Sequence, residues 1–454
     1  MQKFIAKSSE LFDRFDPKYV AFKRRVANFR YPSVKMGSLL SEPPEYGAGE
    51  AGIERLNDTT PRYIRITDID ENGELLPGLG MTAANVEPQY FLRDGDLLFA
   101  RSGNTVGKSY LHESERVSYP CFYAGYMIRF RFGEKVLPKY VFAFAQTPYY
   151  HEWVSAIQRS AGQPNINAQE YRNLEIPLPP LSEQRKIVAE LDVAYAAKRA
   201  ADEKATKLLA SIDDMVLNEL GIAKLPNPDT SLSSRIFIVP AREVANTTLA
   251  PDHYFDSIDF SKAKYPCERF VERIDIDPPC GLEQITKLVP MEGVSAEWCA
   301  IERIQDISPD ATQGYSTFRG GDVIWARITP CMENGKSAVV EAEPSECFCG
   351  STEFLVFRTK DDKVNPYYLQ SLLHLKRFRE VAAHHFTGTS GHQRVTSDFF
   401  KSISIPVPPR SVQDRIASTA LSIRAEARKL KADATAALDA AKRKIECMVM
   451  KDNR

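Results

Sequence analysis

The sequence predicts a mixed α/β (α+β) chain built from two copies of one globular domain. Each copy is followed by a long helix, and the two helices pair as an antiparallel coiled coil. Three observations carry that prediction. The string IPLPPLSEQRKI, Ile176 to Ile187, returns in altered form as IPVPPRSVQDRI, Ile405 to Ile416. Shorter strings recur upstream of it in the same order. Beyond each proline cluster, apolar residues repeat at alternating steps of three and four, the spacing of a coiled-coil seam.

The recurring strings give the domain its outline. RITDI (Arg65 to Ile69) returns as RIQDI (Arg303 to Ile307), and GDLLFAR (Gly95 to Arg101) as GDVIWAR (Gly321 to Arg327). GKS stands at Gly107–Ser109 and again at Gly335–Ser337; Pro138 and Tyr140 match Pro366 and Tyr368; Gly162 matches Gly391. Each copy runs to roughly 200 residues, too large for a solenoid unit, so the pattern is a duplicated domain. Within a copy, YIRITDI and DLLFAR alternate at period two and predict strands. A helix follows, around Pro138–Gln158 and Pro366–His385, then a glycine-containing polar turn and a short strand, LEIPL or ISIPV. The boundaries expected are 1–181 and 236–410 for the domains, 182–220 and 411–450 for the helices, and 221–235 for a linker.

The prolines explain where each helix starts. Pro179 and Pro180 restrict the backbone before them, so a helix begins only after the pair, with Ser182. Val188, Leu191, Tyr195, Lys198, Asp202, Ala205, Leu209, Ile212 and Val216 form its seam, with two polar interruptions. Ile416, Ala420, Ile423, Ala427, Leu430, Ala434, Ala437 and Ala441 form the second seam, whose small residues permit close packing. Ser411 and Asp414 have capping-box spacing. Gly221, with Pro226 and Pro228 beyond it, ends the first helix, which would be roughly 58 Å long at ~1.5 Å per residue.

Composition excludes several classes of protein. The chain has 454 residues, 43% hydrophobic and 26% charged, which suits two or three globular domains. No apolar run approaches a membrane span and the N-terminus lacks a signal-peptide core, so a cytoplasmic protein with reduced cysteines is expected. Of eight cysteines only Cys347 and Cys349 sit close together, with no second ligand pair; no metal site is expected. His384 and His385 read as helix surface. With 59 basic and 60 acidic residues the net charge is −1, so any surface that binds nucleic acid must be a local one.

Enzyme motifs fail on inspection. SGNTVGKS (Ser102 to Ser109) approximates a phosphate loop, but Ser102 stands where glycine is required and YLHESERVSY, which follows, is not a helix. DPPC (Asp277 to Cys280) approximates a base-methylating motif, but Cys280 cannot stack on an extruded base. Both read as turns. No nucleophile–base arrangement or paired carboxylates stand out, and no catalytic residue, metal or cofactor is assigned.

Taken together, these residues resemble the specificity subunits of type I restriction–modification systems over essentially the whole chain. The likeness rests on Ile176–Ile187, on DGDLLFARSGNTVGKS, on the turn GQPNIN and on the near-twofold repeat. FDPKY (Phe15 to Tyr19) and LAPDHY (Leu249 to Tyr254) resemble that family's domain openings. The second copy departs at RSVQDRI, yet keeps Gln413 and Ile416 in register with Gln184 and Ile187. The resemblance implies a non-catalytic reader of double-stranded DNA. Each globular unit would be a target recognition domain for one half of a split, asymmetric site. The helices would space the two and dock methyltransferase subunits, two of them, with restriction subunits joining the complex. S-adenosylmethionine and ATP would belong to those partners.

Physical expectations agree with such an assembly. A rigid helix pair can hold two half-sites about one DNA turn apart, ~34–36 Å. Each bidentate base contact discriminates by ~1–3 kcal/mol, and rigid linkage makes the second contact intramolecular. Candidate DNA-contacting residues in the first copy are Arg101, Ser102, Asn104 and Lys108 after the repeated strand, with Gln163 and Asn165 in the polar turn. In the second they are Arg327, Thr329, Asn334 and Lys336, with His392, Gln393 and Arg394. Asn and Gln suit adenine edges and Arg suits guanine, so unlike residues at equivalent positions fit unlike half-sites. Two other readings stay open: recognition for another methylation or defence system, and a coiled-coil scaffold that binds no DNA.

Overall fold

In the computed structural model, residues 19–20, 22, 29–158, 164–222, 236, 238–241, 260–280, 285–388 and 393–451 are described. The openings FDPKY (but for Tyr19) and LAPDHY, most of the linker, and Gly162, Gln163, Gly391 and His392 lie outside that set. The chain divides into two units, Met1–Ala200 with Asp433–Arg454, and Ala201–Ala432. Each unit thus contains a stretch of both long helices. No helix among the described residues is long and apolar enough to cross a membrane.

The repeated GD strand sits at the centre of each unit. In the first, Leu97–Ala100 lies between Met127–Phe130 and Ser109–Leu111, with Glu45–Tyr46 outermost, all antiparallel. In the second, Val323–Ala326 lies between Phe354–Thr359 and Ser337–Val339, with Ile274–Ile276 outermost. The period-two expectation holds, but both faces are covered. Leu97 and Phe99 join the main core of the first unit while Leu98 joins a second cluster with Tyr110 and Met127. Val323 and Trp325 divide from Ile324 and Ala326 in the same way. An unbroken apolar run is what a doubly covered strand requires.

A second four-stranded sheet in each unit contains one parallel pair, Arg62–Ile64 with Cys121–Tyr123 and Lys287–Val289 with Cys347–Gly350. Strand does not continue through RITDI. It gives way at Ile66–Asp68 to a 3-10 turn, because the Asp68 carboxylate accepts from the Arg65 backbone N–H at 2.9 Å and from the Arg65 guanidinium. Each expected mid-domain helix is two helices, Pro138–Phe144 with Pro148–Ile157 and Pro366–His374 with Lys376–His384. Pro148 has no N–H to continue the first helix, and Thr147 caps the second by accepting from Tyr150 N.

Other expectations need correction. Cys280 and Cys347 form a disulfide with Cα atoms 6.5 Å apart, because the DPPC bend runs beside the strand that starts at Cys347. The His385 ring packs on Phe399 at 4.8 Å, so the histidine pair is half-buried, not surface.

The long helices run Leu181–Glu219 and Arg410–Val449, each starting one residue before the expected position. The carbonyls of Pro180 and Pro409 accept the first helical N–H groups, at 2.9–3.2 Å. Ser411 is therefore inside its helix, and Asp414 Oδ1 instead takes Arg410 Nε and Asn365 Nδ2. At the other end of the first helix, Gly221 has φ 68° and Ile222 N donates to Leu217 O, a Schellman closure. Leu191, Tyr195, Ala205, Ile212 and Val216 are buried as the seam requires. In the second helix Ile416, Ala420 and Ala427 follow the expected seam, but beyond Ala434 it moves one residue on, to Leu438, Lys442, Ile445 and Val449. Three successive steps of four, Leu430 to Ala434, Leu438 and Lys442, make this shift, which turns Leu438 inward in place of Ala437 and Lys442 in place of Ala441. In each unit the helices are ion-paired, Glu190 to Lys444 in one and Glu219 to Arg415 in the other, the antiparallel order.

The proline joint is built alike in both units. Tyr140 donates its hydroxyl to Pro177 O at 2.6 Å, and Tyr368 donates to Pro406 O at 2.8 Å. The strands that end in these prolines pair with Ser33–Lys35 and Cys267–Arg269. Core aromatics close over them: Phe99 stacks on Tyr171 at 4.9 Å, and Trp325 meets Phe400 edge-on at 5.2 Å. Full burial of such a side chain contributes about 1.5–3 kcal/mol.

Candidate nucleic-acid interface

In each unit the strand that ends just before the repeated Arg runs directly into an irregular turn. A short segment from just before the proline joint then pairs with that turn. In the first unit Ser102 bridges Asn165, Ile166 N donates to Arg101 O at 2.8 Å, and Gly103 N donates to Pro164 O. In the second, Ile328 bridges Arg394, Val395 N donates to Arg327 O at 2.9 Å, and Thr329 N donates to Gln393 O. Residues more than 60 positions apart in sequence are thereby brought to one place, on the same backbone frame in both units. The turn closes on glycine at positive φ, Gly107 at 90° and Gly335 at 85°. A Cβ on Gly107 would meet Val154 Cγ1 at 2.7 Å, and one on Gly335 would meet His374 Cε1 at 2.7 Å. Ser109 and Ser337 then begin strands, so neither turn feeds the helix that a phosphate loop needs.

A buried carboxylate fixes the far end of each strand. Asp96 takes Arg131 through both oxygens, at 2.7 and 3.0 Å, and accepts from Arg93 N. Asp322 does the same with Arg358, at 2.8 and 2.8 Å, and with Arg319 N. Both aspartates are 1% exposed, which makes the bidentate partner obligatory.

The candidate residues then divide by what they do. Lys108 and Lys336 are committed inside their own units: Lys108 Nζ donates to Ile69 O at 3.1 Å and pairs with Glu71, and Lys336 Nζ donates to Met291 O at 2.8 Å. They fasten a neighbouring loop. Asn104, Asn165 and Asn334 are exposed, while Arg101, Ser102, Arg327, Thr329, Gln393 and Arg394 are half-buried. Thr329 donates its hydroxyl to Glu333 Oε2 at 2.6 Å. The Arg101 guanidinium lies over the Tyr46 ring, 4.9 Å from its centroid, and its Nε has no hydrogen-bond partner among the described residues. Arg327 Nε is likewise without a hydrogen bond, 3.6 Å from Glu353 Oε2. Burial pushes the nearby Asp277 carboxyl up, against the opposing pull of its bond from Val356 N and of Arg327.

Repeat matching missed three of the neighbours that shape these sites: Tyr46, Tyr126 and Glu353. Tyr126 and Glu353 occupy equivalent places, since Arg101 N donates to Tyr126 O and Arg327 N to Glu353 O, both at 2.9 Å. Their identities differ, so no shared string marks them. Among the described residues no cluster of three or more His, Cys, Asp or Glu side chains stands ready for a metal.

Comparisons with known proteins fall on these two units. A family model described as Type I restriction modification DNA specificity domain matches residues 63–207 and 292–427, one stretch containing each strand–turn. Over 135 residues the chain is 33% identical to the Type I restriction enzyme EcoAI specificity subunit of Escherichia coli, covering 30% of this chain and 23% of that one. Over 224 residues it is 25% identical to the Type I restriction enzyme EcoKI specificity subunit of Escherichia coli (strain K12), covering 48% and 45%. The matched stretches thus span less than half of these relatives' lengths. The solved HsdS subunit from Thermoanaerobacter tengcongensis aligns with 92% of this chain and 95% of its own, at 18% identity and a TM-score of 0.34. With well over half of its residues matched, in two stretches, the chain belongs to the type I restriction modification DNA specificity domain family.

Proposed function

We propose that this chain is the DNA sequence-specificity subunit of a type I restriction–modification complex, and that each unit reads one half of a split, asymmetric double-stranded site. The observation that carries the reading is a shared frame with unshared side chains. The same backbone bridge presents Arg101 and Asn165 in one unit and Arg327 and Arg394 in the other. Asn matches the adenine edge and Arg the guanine edge, so two copies of one scaffold carry two different readouts.

The long helices act as the spacer and as the docking surface for methyltransferase subunits, two per complex, with restriction subunits added to that core. The chain itself performs no catalysis; methyl transfer and cleavage, with S-adenosylmethionine and ATP, belong to the partners. A near-zero net charge suits this division, because partner subunits that enclose the duplex supply phosphate contacts. The test is selection from random duplexes by the chain together with its methyltransferase. A consensus in two short blocks separated by unselected bases is the expected result; no enrichment from the complex would reject DNA reading.

A further inference from the structure

We infer that Glu353 is a positioning residue that makes the second unit's reader a guanine reader, and that Tyr126 removes that role from the first. The inference rests on the DNA-reading function proposed above. It starts from the two orphaned arginine nitrogens, Arg101 Nε and Arg327 Nε, which occupy equivalent places at the end of the central strand. The backbone carbonyl beside each belongs to Tyr126 in one unit and to Glu353 in the other.

Their side chains have opposite consequences. Glu353 is only 19% exposed at its side chain, and its carboxylate is shared by two guanidinium groups. It accepts from Arg394 Nε at 2.9 and 3.0 Å and from Arg394 Nη2 at 2.6 Å, while Arg327 Nε stays at ion-pair distance, 3.6 Å. A guanidinium gripped along its Nε–Nη2 side has its plane fixed, and so has the direction of its Nη1–Nη2 end. That end is the fork that matches O6 and N7 of guanine, and its value lies in pre-orientation. Glu353 also offsets one of two adjacent positive charges, which would otherwise favour any phosphate.

Among its described residues the first unit has no such buttress. Tyr126 is 67% exposed, Arg101 rests on the face of Tyr46, and the residue equivalent to Arg394 is Asn165, a short amide suited to adenine. Two positions therefore separate an oriented cationic fork from a neutral, aromatic-flanked amide: Arg394 against Asn165 at the bridge, and Glu353 against Tyr126 beside it.

The experiment uses the chain complexed with its methyltransferase subunits and duplex libraries randomised in each half-site. E353Q is nearly isosteric and leaves the backbone bond from Arg327 in place. It should reduce discrimination at one guanine of the second half-site about ten-fold while the first half-site, an internal control for folding, keeps its stringency. R394Q should cause the same loss, and E353Q/R394Q no further loss. Unchanged discrimination in E353Q overturns the inference, as does equal relaxation of both half-sites. If E353Q abolishes a preference that R394Q preserves, Glu353 reads the base itself and its positioning role is wrong. If the wild-type complex selects no sequence at all, the underlying DNA-reading function fails, a result distinct from the others.

Discussion

The backbone N–H of Leu137 donates to Oε1 of Gln184 at 2.9 Å, across the joint between globular domain and long helix. The same amide returns Nε2 to the carbonyls of Pro179 and Lys135. Gln413 repeats the clamp, accepting from Asn365 N at 2.8 Å and donating to Pro408 O and Lys363 O. Both glutamines are 0% exposed. One buried amide thus satisfies the proline stop and the start of the mid-domain helix together. Gln413→Ala strands those groups, and the expected cost is about 3 kcal/mol. Hydrogen exchange should locate the loss at 366–374 and 410–416; protection unchanged there would remove the clamp from the account.

The buried Asp–Arg pairs give a second prediction. Asp96→Asn and Asp322→Asn each leave a guanidinium with its carboxylate partner gone, at an expected cost of about 3 kcal/mol. Thermal unfolding followed by unit-specific probes should show D96N softening the first unit and D322N the second. An effect under ~0.5 kcal/mol would mean the pair is replaceable by solvent.

Acid should weaken the second unit through His374. Burial, with Arg424 and Arg379 nearby, holds its imidazole down to about 3. Unfolding releases it to the ordinary value, so the unfolded chain binds the extra proton between those two values. Stability is therefore full above roughly pH 6.5 and declines as pH falls toward 3, by about 2 kcal/mol at pH 5. The His374 ring resonances should not titrate above about pH 4, and His374→Gln should flatten this acid limb. A ring that titrates near pH 6.5 would contradict the assignment.

Arg101 and Lys108 lie close in sequence but should respond differently. Lys108→Ala loses the bond to Ile69 and costs about 1 kcal/mol of stability, with DNA affinity unchanged once folding is accounted for. Arg101→Ala leaves the fold intact and weakens selection in the first half-site about ten-fold or more. Binding isotherms against salt decide between them: a reduced salt slope in K108A would make Lys108 a phosphate contact after all.

Much of this architecture was legible because duplication prints the same physical need twice. Gln184 and Gln413 kept their register through an otherwise altered motif, and the structure gives each the same three-point clamp. The GD strands were legible from period two, though not that both faces would be covered. The seam beyond Ala434 was misread because alanine fits either register, and only the packing of Leu438 and Ile445 chooses one. At the candidate interface, the backbone frame could be found by matching copies. Tyr126 and Glu353 could not, because residues that differ between copies leave no repeat to match. Lys108 and Lys336 matched perfectly, and that identity marks a shared structural job more readily than a readout that must differ.

The central claim is that each unit reads its own half of one DNA site. The most direct measurement exchanges residues 1–181 for the first recognition domain of another family member. The methylated sequence is then mapped across a genome in cells that also express the methyltransferase. One half of the site should change to the donor's while the other half stays as it was. A site that changes in both halves, or in neither, would contradict the claim.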